Sequence, residues 1–135
     1  MTVLILGHRG SGRTDKNPYA GDKPPQHSIQ SYQKCLDDGA AGFEFDIFVT
    51  SDDVPVVIHR KAAEDIKIDN IPFKDLSGIT LPDGQKIISL EETLIYLARL
   101  NKDKTHNPVI VNAELKGEGV VPSTVNIIQK VALLN

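Results

Sequence analysis

The order of apolar segments along the chain limits the fold more than any other feature of the sequence. Apolar runs typical of β-strands fall at residues 3–6, 43–50, 54–58 and 109–115. Segments with helical spacing of apolar residues follow the first, third and fourth of these runs, at 29–38, at 90–100 and from Pro122-Ser123 onward. Strands that alternate with helices predict an α/β fold with a parallel sheet, either open or closed into a barrel.

Turn and capping residues mark the ends of several of these segments. Ser28 is placed to cap the first helix and Gly39 to end it, while residues 89–92 form a capping box ahead of the second helix. The run at 3–6 predicts a strand buried on both faces. Residues 11–26 predict a long surface loop, and residues 61–88 predict an irregular excursion. Since no repeat or linker divides the chain, we expect one domain over residues 1–135.

Composition and charge exclude some classes of function. A net charge of −3 supplies no basic field for nucleic acid, so no nucleic-acid partner is predicted. Residues 1–6 lack the features of a signal peptide, and no later apolar run approaches the roughly 20 residues that span a bilayer. We therefore expect a cytoplasmic protein without membrane insertion. The one cysteine, Cys35, cannot form an internal disulfide and suits a small buried position on the first helix.

Chemically active side chains follow the predicted strands. His8 and Arg9 come directly after the first strand, and His59 ends a hairpin predicted over residues 43–58. Glu44 and Asp46 are two residues apart on one strand, so both side chains leave the same face. If the hairpin loop has an even number of residues, Asp46 lies directly across from His59, and the three groups converge. An odd loop or a bulge would send His59 to the opposite face.

A further acidic group lies near the end of the last predicted strand. Asn112, Glu114 and Lys116 alternate with apolar residues, so they share a face near the carboxyl end of that strand. Together with Glu44 and Asp46, Glu114 makes a set of three carboxylates that suits a hard divalent ion such as Mg²⁺ or Ca²⁺. Zinc fits less well because no cysteine or histidine pair has ligand spacing. The alternative for the first two carboxylates is the solvated face of an antiparallel strand.

Two histidines beside a metal site indicate general acid and base catalysis. One of His8 and His59 would take the proton of a nucleophile, and the other would protonate the leaving oxygen. Arg9 offers a planar fork of donors that suits phosphate. This set predicts the hydrolysis of a phosphoester. The glycines at 7, 10 and 12 match neither the dinucleotide-binding spacing nor a P-loop.

In their order and spacing, these markers resemble the glycerophosphodiester phosphodiesterase family. The resemblance covers nearly the whole chain and rests on Gly7-His8-Arg9-Gly10, residues 25–32, Glu44-x-Asp46, Thr50-x-Asp52, residues 56–59, residues 88–92 and Glu114-Leu115-Lys116. The family folds as a (β/α)₈ barrel and cleaves deacylated phospholipids into an alcohol and glycerol 3-phosphate. The resemblance therefore implies a phosphoric diester hydrolase whose substrate is a small glycerophosphodiester.

The resemblance also implies a role for each site residue. His8 and His59 would be the acid/base pair, and Arg9 and Lys116 would hold the phosphate. The metal ligands that it implies are Glu44, Asp46 and Glu114. The metal would polarise the phosphoryl oxygens and balance developing charge.

The chain departs from the family pattern at three points. The family usually carries Pro-Glu-Asn-Ser/Thr where this chain has Pro25-Gln26-His27-Ser28, and the family's His-Asp is here His59-Arg60. The third departure is length, because a (β/α)₈ barrel typically needs ~250 residues. We therefore expect the chain to be the N-terminal portion of such a barrel, with about three βα units and a β-hairpin. A self-associating half-barrel is the alternative.

Two other functions stay open at this point. A catalytically inactive module could bind phosphodiesters while the changes at Gln26, His27 and Arg60 record lost chemistry. A relative of the sphingomyelinase D family could act on lysophospholipid or sphingolipid phosphodiesters, although the sequence shows no lipid-facing amphipathic helix. His27 suits either a pocket or an exposed position beside the helix start, and His106 is predicted to face solvent.

Overall fold

The computed structural model describes residues 3–11, 21–63, 65–102 and 107–134. In chain order, its strands and helices are β1 (Leu6–Gly7), α1 (Ile29–Asp37), β2 (Gly42–Val49), β3 (Pro55–Val57), α2 (Phe73–Leu76), β4 (Ile88–Ser89), α3 (Leu90–Lys102), β5 (Ile110–Leu115) and α4 (Val120–Ala132). The predicted alternation of strands with helices is confirmed.

The central strand of the sheet is β2. It pairs in parallel with β1 near its start and with β5 along most of its length. Near its carboxyl end it pairs antiparallel with β3, and β4 extends the sheet beyond β3. The carboxyl ends of β1, β2 and β5 meet at one edge of the sheet, where polar side chains of different strands can converge.

The alternation of β2 divides its side chains between an apolar core and the opposite face. Phe43 and Phe45 are buried in the core with Tyr32 of α1, whose ring stacks on Phe43 with 4.2 Å between the centroids. Glu44 and Asp46 leave the other face, as their spacing predicts. A second buried cluster is made of Val56, Ile58, Ala63, Ile68, Leu76, Leu81 and Ile87. The hairpin therefore packs on an apolar cluster of its own, separate from the core around Tyr32.

Side-chain caps fix the starts of α1 and α3. The hydroxyl of Ser28 accepts a hydrogen bond from Ser31 N at 3.1 Å. At the start of α3, Ser89 Oγ accepts from Glu92 N at 3.2 Å, and Glu92 Oε2 accepts from Ser89 N at 3.0 Å. The predicted capping box is therefore confirmed, and each cap satisfies backbone donors that the first turn leaves without partners.

The last helix begins at Val120, two residues before the predicted start at Pro122. Gly119, at φ 72°, leads into the helix. Pro122 occupies its first turn, where the missing N–H costs no intrahelical hydrogen bond, so proline does not mark the start. Of the apolar residues in the predicted stripe, Val125 and Ile128 are exposed, at 44% and 48%.

The expectation that residues 3–6 form a strand buried on both faces is wrong. Only Leu6 and Gly7 pair with β2, and Val3 and Ile5 are 72% and 70% exposed. Within the described residues, β1 and β5 each have β2 as their one strand partner. Each strand therefore keeps an unpaired edge, and the apolar residues along it meet solvent.

The register of the hairpin differs from the even-loop prediction. Residues 51–53 form a three-residue loop, in which Asp53 adopts φ 58°. A left-handed residue at the end of such a loop is typical of three-residue hairpins. This odd loop sets Ile58, and not His59, across from Asp46, whose backbone oxygen accepts from Ile58 N at 3.2 Å.

The irregular excursion predicted for residues 61–88 is present as short 3₁₀ turns, α2 and a bridge between Thr80 and Lys86. Of the predicted loop at 11–26, residues 12–20 lie outside the described part of the chain, as does His106. Among the helices that are described, none has the length and apolarity needed to cross a membrane.

Candidate metal and phosphate site

Three carboxylates meet where β2 and β5 approach their carboxyl ends. Asp46 lies directly beside Glu114 in the parallel register, and Glu44 is two residues earlier on the same face of β2. One oxygen from each of Glu44, Asp46 and Glu114 lies within 4.8 Å of the others. Glu44 and Asp46 are buried, whereas Glu114 is exposed. The sequence-predicted ligand set is thus brought together.

The donor set suits a hard cation. Glu44 Oε1 and Asp46 Oδ2 are buried, and neither atom accepts a hydrogen bond from the described residues. Burying a carboxylate oxygen that accepts no hydrogen bond costs free energy, and a bound cation would offset that cost. Because all three ligands are oxygen atoms, Mg²⁺ or Ca²⁺ fits this set better than a metal that prefers sulfur or nitrogen.

The turn after β1 brings backbone and side chains against these carboxylates. Arg9 N donates to Glu44 Oε2 at 3.0 Å, and His8 Nε2 lies 3.9 Å from the same oxygen. The turn is tight, with Arg9 at φ 56° and Gly10 at φ 81°. A Cβ at Gly10 would lie 2.3 Å from Ser31 Oγ, so glycine is required for this approach to α1. The imidazole of His8 is 69% exposed, so solvent reaches it beside Glu44.

Two cationic side chains flank Asp46. Arg9 Nε lies 3.6 Å from Asp46 Oδ2, and Lys116 Nζ lies 3.6 Å from Asp46 Oδ1. Lys116 also forms an ion pair with Glu114, and this contact raises the pKa of the lysine. The two residues predicted to hold phosphate therefore stand beside the proposed metal ligands, where positive charge would also attract a substrate anion.

The two buried carboxylates differ in their pKa values. Burial opposes ionisation of Asp46, but His27, Arg9 and His59 outweigh it and lower its pKa to about 2. Burial raises the pKa of Glu44 because the hydrogen bond from Arg9 N compensates only part of the desolvation. Asp46 therefore keeps its negative charge to a lower pH than Glu44 does.

The sequence alone does not decide whether His27 lies in a pocket or at an exposed position. His27 is fully buried, with φ 54°. Its Nε2 accepts from Asp46 N at 3.2 Å and lies 3.4 Å from Asp46 Oδ2. Burial lowers the pKa of His27 despite the neighbouring carboxylate, and the neutral ring can accept the backbone hydrogen bond. With His27 neutral, Arg9 still favours the ionised form of Asp46.

His59 is not placed near the site by cross-strand pairing with Asp46, as the even-loop register predicts. It lies beyond the last paired residue of β3, so the register across from Asp46 is not what places it. Its charge nevertheless lowers the pKa of both Asp46 and His27, which puts the imidazole near both groups. The predicted pairing of His59 with Asp46 is wrong, whereas their proximity is retained.

Gln26 and Asp83 extend the site in a way that no sequence pattern indicated. Gln26 Oε1 accepts from Arg9 Nη1 at 3.0 Å, and Gln26 Nε2 donates to Asp83 Oδ2 at 2.7 Å. Gln26 was visible only as a departure from the family motif. Asp83 occupies a Pro-Asp-Gly turn, whose composition indicates a turn and gives no sign of a buried contact with the site.

Comparisons with known proteins point to one enzyme family. The model of the Glycerophosphoryl diester phosphodiesterase family matches residues 8–113. A probable glycerophosphodiester phosphodiesterase 2 of Mycobacterium tuberculosis is 26% identical over 134 residues, which are 96% of this chain and 47% of that protein. A glycerophosphocholine phosphodiesterase of Mus musculus is 31% identical over 84 residues, or 55% of this chain and 12% of its relative.

Solved structures show the same likeness. A glycerophosphodiester phosphodiesterase from Parabacteroides distasonis has a TM-score of 0.72 and 27% identity over 96% of this chain and 52% of its own. A phosphodiesterase from Oleispira antarctica, in complex with the product sn-glycerol-3-phosphate, has a TM-score of 0.71 and 20% identity over 95% of this chain and 52% of its own.

The chain spans about half the length of the relatives that it matches along most of its sequence. Structures of the family are of the (β/α)₈ barrel type, so the predicted fold class is confirmed, with the described strands and helices forming part of such a barrel. The family match over residues 8–113 includes most of the residues that build the site, and Glu114 and Lys116 come directly after it. The chain belongs to the glycerophosphoryl diester phosphodiesterase family.

Proposed function

We propose that this chain carries the phosphate-binding and catalytic face of a metal-dependent glycerophosphodiester phosphodiesterase, which releases an alcohol and glycerol 3-phosphate. The observation that carries the proposal is the convergence of Glu44, Asp46 and Glu114 beside Arg9 and the exposed His8. The product in the Oleispira antarctica relative supports the same substrate class.

Glu44, Asp46 and Glu114 would hold the ion, with Mg²⁺ or Ca²⁺ as the candidates. When bound, such an ion polarises a phosphoryl oxygen and balances the charge that develops on the phosphate. Arg9 and Lys116 would bind the remaining phosphoryl oxygens, because guanidinium and ammonium groups form charge-assisted hydrogen bonds with phosphate. The low pKa of Asp46 keeps that ligand anionic throughout the neutral pH range.

His8 and His59 would divide the proton transfers. One imidazole takes the proton of the attacking nucleophile, and the other protonates the leaving alcohol oxygen. His8 is exposed beside Glu44, so this ring is suited to exchange protons with a substrate entering from solvent. His27 is buried against the backbone of Asp46 and is less suited to that exchange.

We also propose that the chain is the N-terminal portion of a complete barrel, of which it supplies three parallel strands and a hairpin. The chain covers about half of the relatives that it matches along most of its sequence, and this supports the assignment. Apolar residues along the unpaired edges of β1 and β5 would then pack against further strands. The cytoplasmic location expected from the sequence stays a prediction.

The experiment is a product assay with glycerophosphocholine in the presence of Mg²⁺, of Ca²⁺ and of a chelator. We expect metal-dependent release of glycerol 3-phosphate, and a loss of roughly 10²- to 10⁴-fold in rate for His8→Ala and for His59→Ala. Unchanged turnover in either variant would contradict the assigned roles.

Two other outcomes would identify the alternative functions. Tight binding of glycerophosphocholine without product, with metal present, would indicate a phosphodiester-binding module. Preferential cleavage of lysophosphatidylcholine would indicate a relative of the sphingomyelinase D type. Thermal unfolding of both histidine variants serves as the control for folding.

A further inference from the structure

A buried chain of side-chain hydrogen bonds connects Arg9 to the turn at residues 80–86. Arg9 Nη1 donates to Gln26 Oε1 at 3.0 Å, and Gln26 Nε2 donates to Asp83 Oδ2 at 2.7 Å. Gln26 is fully buried, and Asp83 is 5% exposed. Hydrogen bonds in such surroundings are strengthened by the low local dielectric, and a broken link leaves a buried group without its partner.

The direction of each link is fixed by the chemistry of its two ends. The guanidinium of Arg9 can only donate, and the carboxylate of Asp83 can only accept, whereas the amide of Gln26 does both. Asp83 therefore sets the orientation of the amide and turns its oxygen toward Arg9. A glutamate at position 26 would instead place a carboxylate oxygen 2.7 Å from the carboxylate of Asp83.

The turn that carries Asp83 is itself firmly supported. Asp83 Oδ1 accepts from Gln85 N at 2.9 Å, and Gln85 Nε2 donates to Val57 O of β3 at 3.0 Å. Leu81 N donates to Gln85 O at 2.8 Å, which closes the base of the turn. The carboxylate of Asp83 is therefore held at a fixed place relative to the sheet, as a positioning group needs to be.

We propose that Asp83 is a positioning residue, which acts through Gln26 to hold the guanidinium of Arg9 in the orientation that binds the substrate phosphate. The proposal rests on the proposed function for the identity of the ligand. It also explains why glutamine stands where the family motif usually has glutamate: with aspartate at position 83, the residue at position 26 has to donate as well as accept.

Moving the negative charge from position 83 to position 26 tests this proposal. Gln26→Glu brings two carboxylates together, and Asp83→Asn lets the amide of Gln26 rotate and turn its nitrogen toward Arg9. In the double variant, one oxygen of the new carboxylate at position 26 keeps the contact with Arg9. The new amide at position 83 donates to the other oxygen of that carboxylate and accepts from Gln85 N. We expect each single variant to weaken binding of sn-glycerol 3-phosphate roughly 10-fold, and the double variant to bind within about 3-fold of the wild type.

Three readouts separate positioning from a structural role. The NMR signal of the Arg9 Nε–H group should shift in both single variants and return in the double variant. In an Arg9→Ala background, Asp83→Asn should cause no further loss of affinity. The control is Gln33→Glu, because Gln33 also accepts from a donor, Tyr96, and donates to a carboxylate, Asp37, but on the exposed surface. This control should leave the affinity unchanged.

The outcomes distinguish this proposal from the proposed function. Single variants with unchanged affinity and an unmoved Arg9 signal would overturn the positioning role, as would a double variant that is no better than the worse single variant. A wild-type chain that does not bind sn-glycerol 3-phosphate, but shows the expected pattern of Arg9 signals, would contradict the proposed function and leave the positioning of Arg9 standing. If Gln26→Glu does not fold, Asp83→Asn and the double variant still decide the question.

Discussion

Replacement of Gly10 by alanine is a direct test of how the turn after β1 is held against α1. The new Cβ would lie 2.3 Å from Ser31 Oγ and 2.7 Å from the carbonyl carbon of Ser31. The backbone at position 10 has φ 81°, a conformation that side chains other than glycine rarely adopt. Alanine therefore meets both a conformational penalty and a steric clash.

The two costs can be separated by magnitude. A left-handed backbone costs an L-residue about 1–2 kcal/mol. Overpacking against a fixed neighbour typically costs about 1–3 kcal/mol more. We therefore expect Gly10→Ala to lower the free energy of unfolding by about 2–5 kcal/mol, a large share of the total stability of an ordinary domain.

Urea denaturation measures this loss, and Gly39→Ala is the matched control. Gly39 has φ 96°, but a Cβ there meets no described atom within 4 Å, so it carries the conformational penalty alone. We expect the midpoint of Gly10→Ala to fall clearly below that of Gly39→Ala, with similar m-values. Adding Ser31→Ala should recover little, since the clash with the backbone persists. Equal midpoints for the two glycine variants would refute the close approach of the turn to α1.

Two further predictions concern the carboxylate cluster and its buried histidine. Adding Ca²⁺ or Mg²⁺ should raise the Tm of the wild type by mass action, but not the Tm of Asp46→Asn. The control is Asp75→Asn, which changes an exposed carboxylate and should keep the metal-induced rise. Equal shifts in all three proteins would contradict the ligand assignment. Burial lowers the pKa of His27 below its ordinary 6.5, so the unfolded chain takes up that proton more readily than the folded chain. His27 therefore contributes its whole stabilising effect above about pH 6.5, and this effect is lost as the pH falls. In the variant His27→Asn, the free energy of unfolding should change less between about pH 7 and pH 5 than it does in the wild type.

The parts of the fold that the sequence predicted well are those set by local rules. The alternation of β2 predicted Glu44 and Asp46 on one face and Phe43 and Phe45 on the other, and the capping box at Ser89 predicted the start of α3. Parallel pairing with β5 then brought Glu114 beside Asp46, as polar residues at the ends of neighbouring parallel strands predict.

The failures have a common origin in contacts that local patterns do not encode. The hairpin register depends on the conformation of Asp53, and one residue of difference moves the position across from Asp46 to Ile58. The exposure of Val3 depends on whether a further strand pairs with β1, which an apolar run cannot report. The link from Arg9 through Gln26 to Asp83 joins distant parts of the chain, and no spacing rule connects them.

Because of the parallel register of β2 and β5, the site depends on the number of residues in each strand as well as on which residues they are. Asp46 lies beside Glu114, and Glu44 lies beside Asn112. Because side chains alternate along a strand, deleting one residue at the start of β2 would turn Phe43 and Phe45 toward the face of the carboxylate cluster, and Glu44 and Asp46 toward the core that contains Tyr32. Substitutions can alter this site gradually, whereas a single-codon insertion or deletion in either strand would exchange the two faces at once. We therefore expect the site to tolerate changes of length only in the connections between strands.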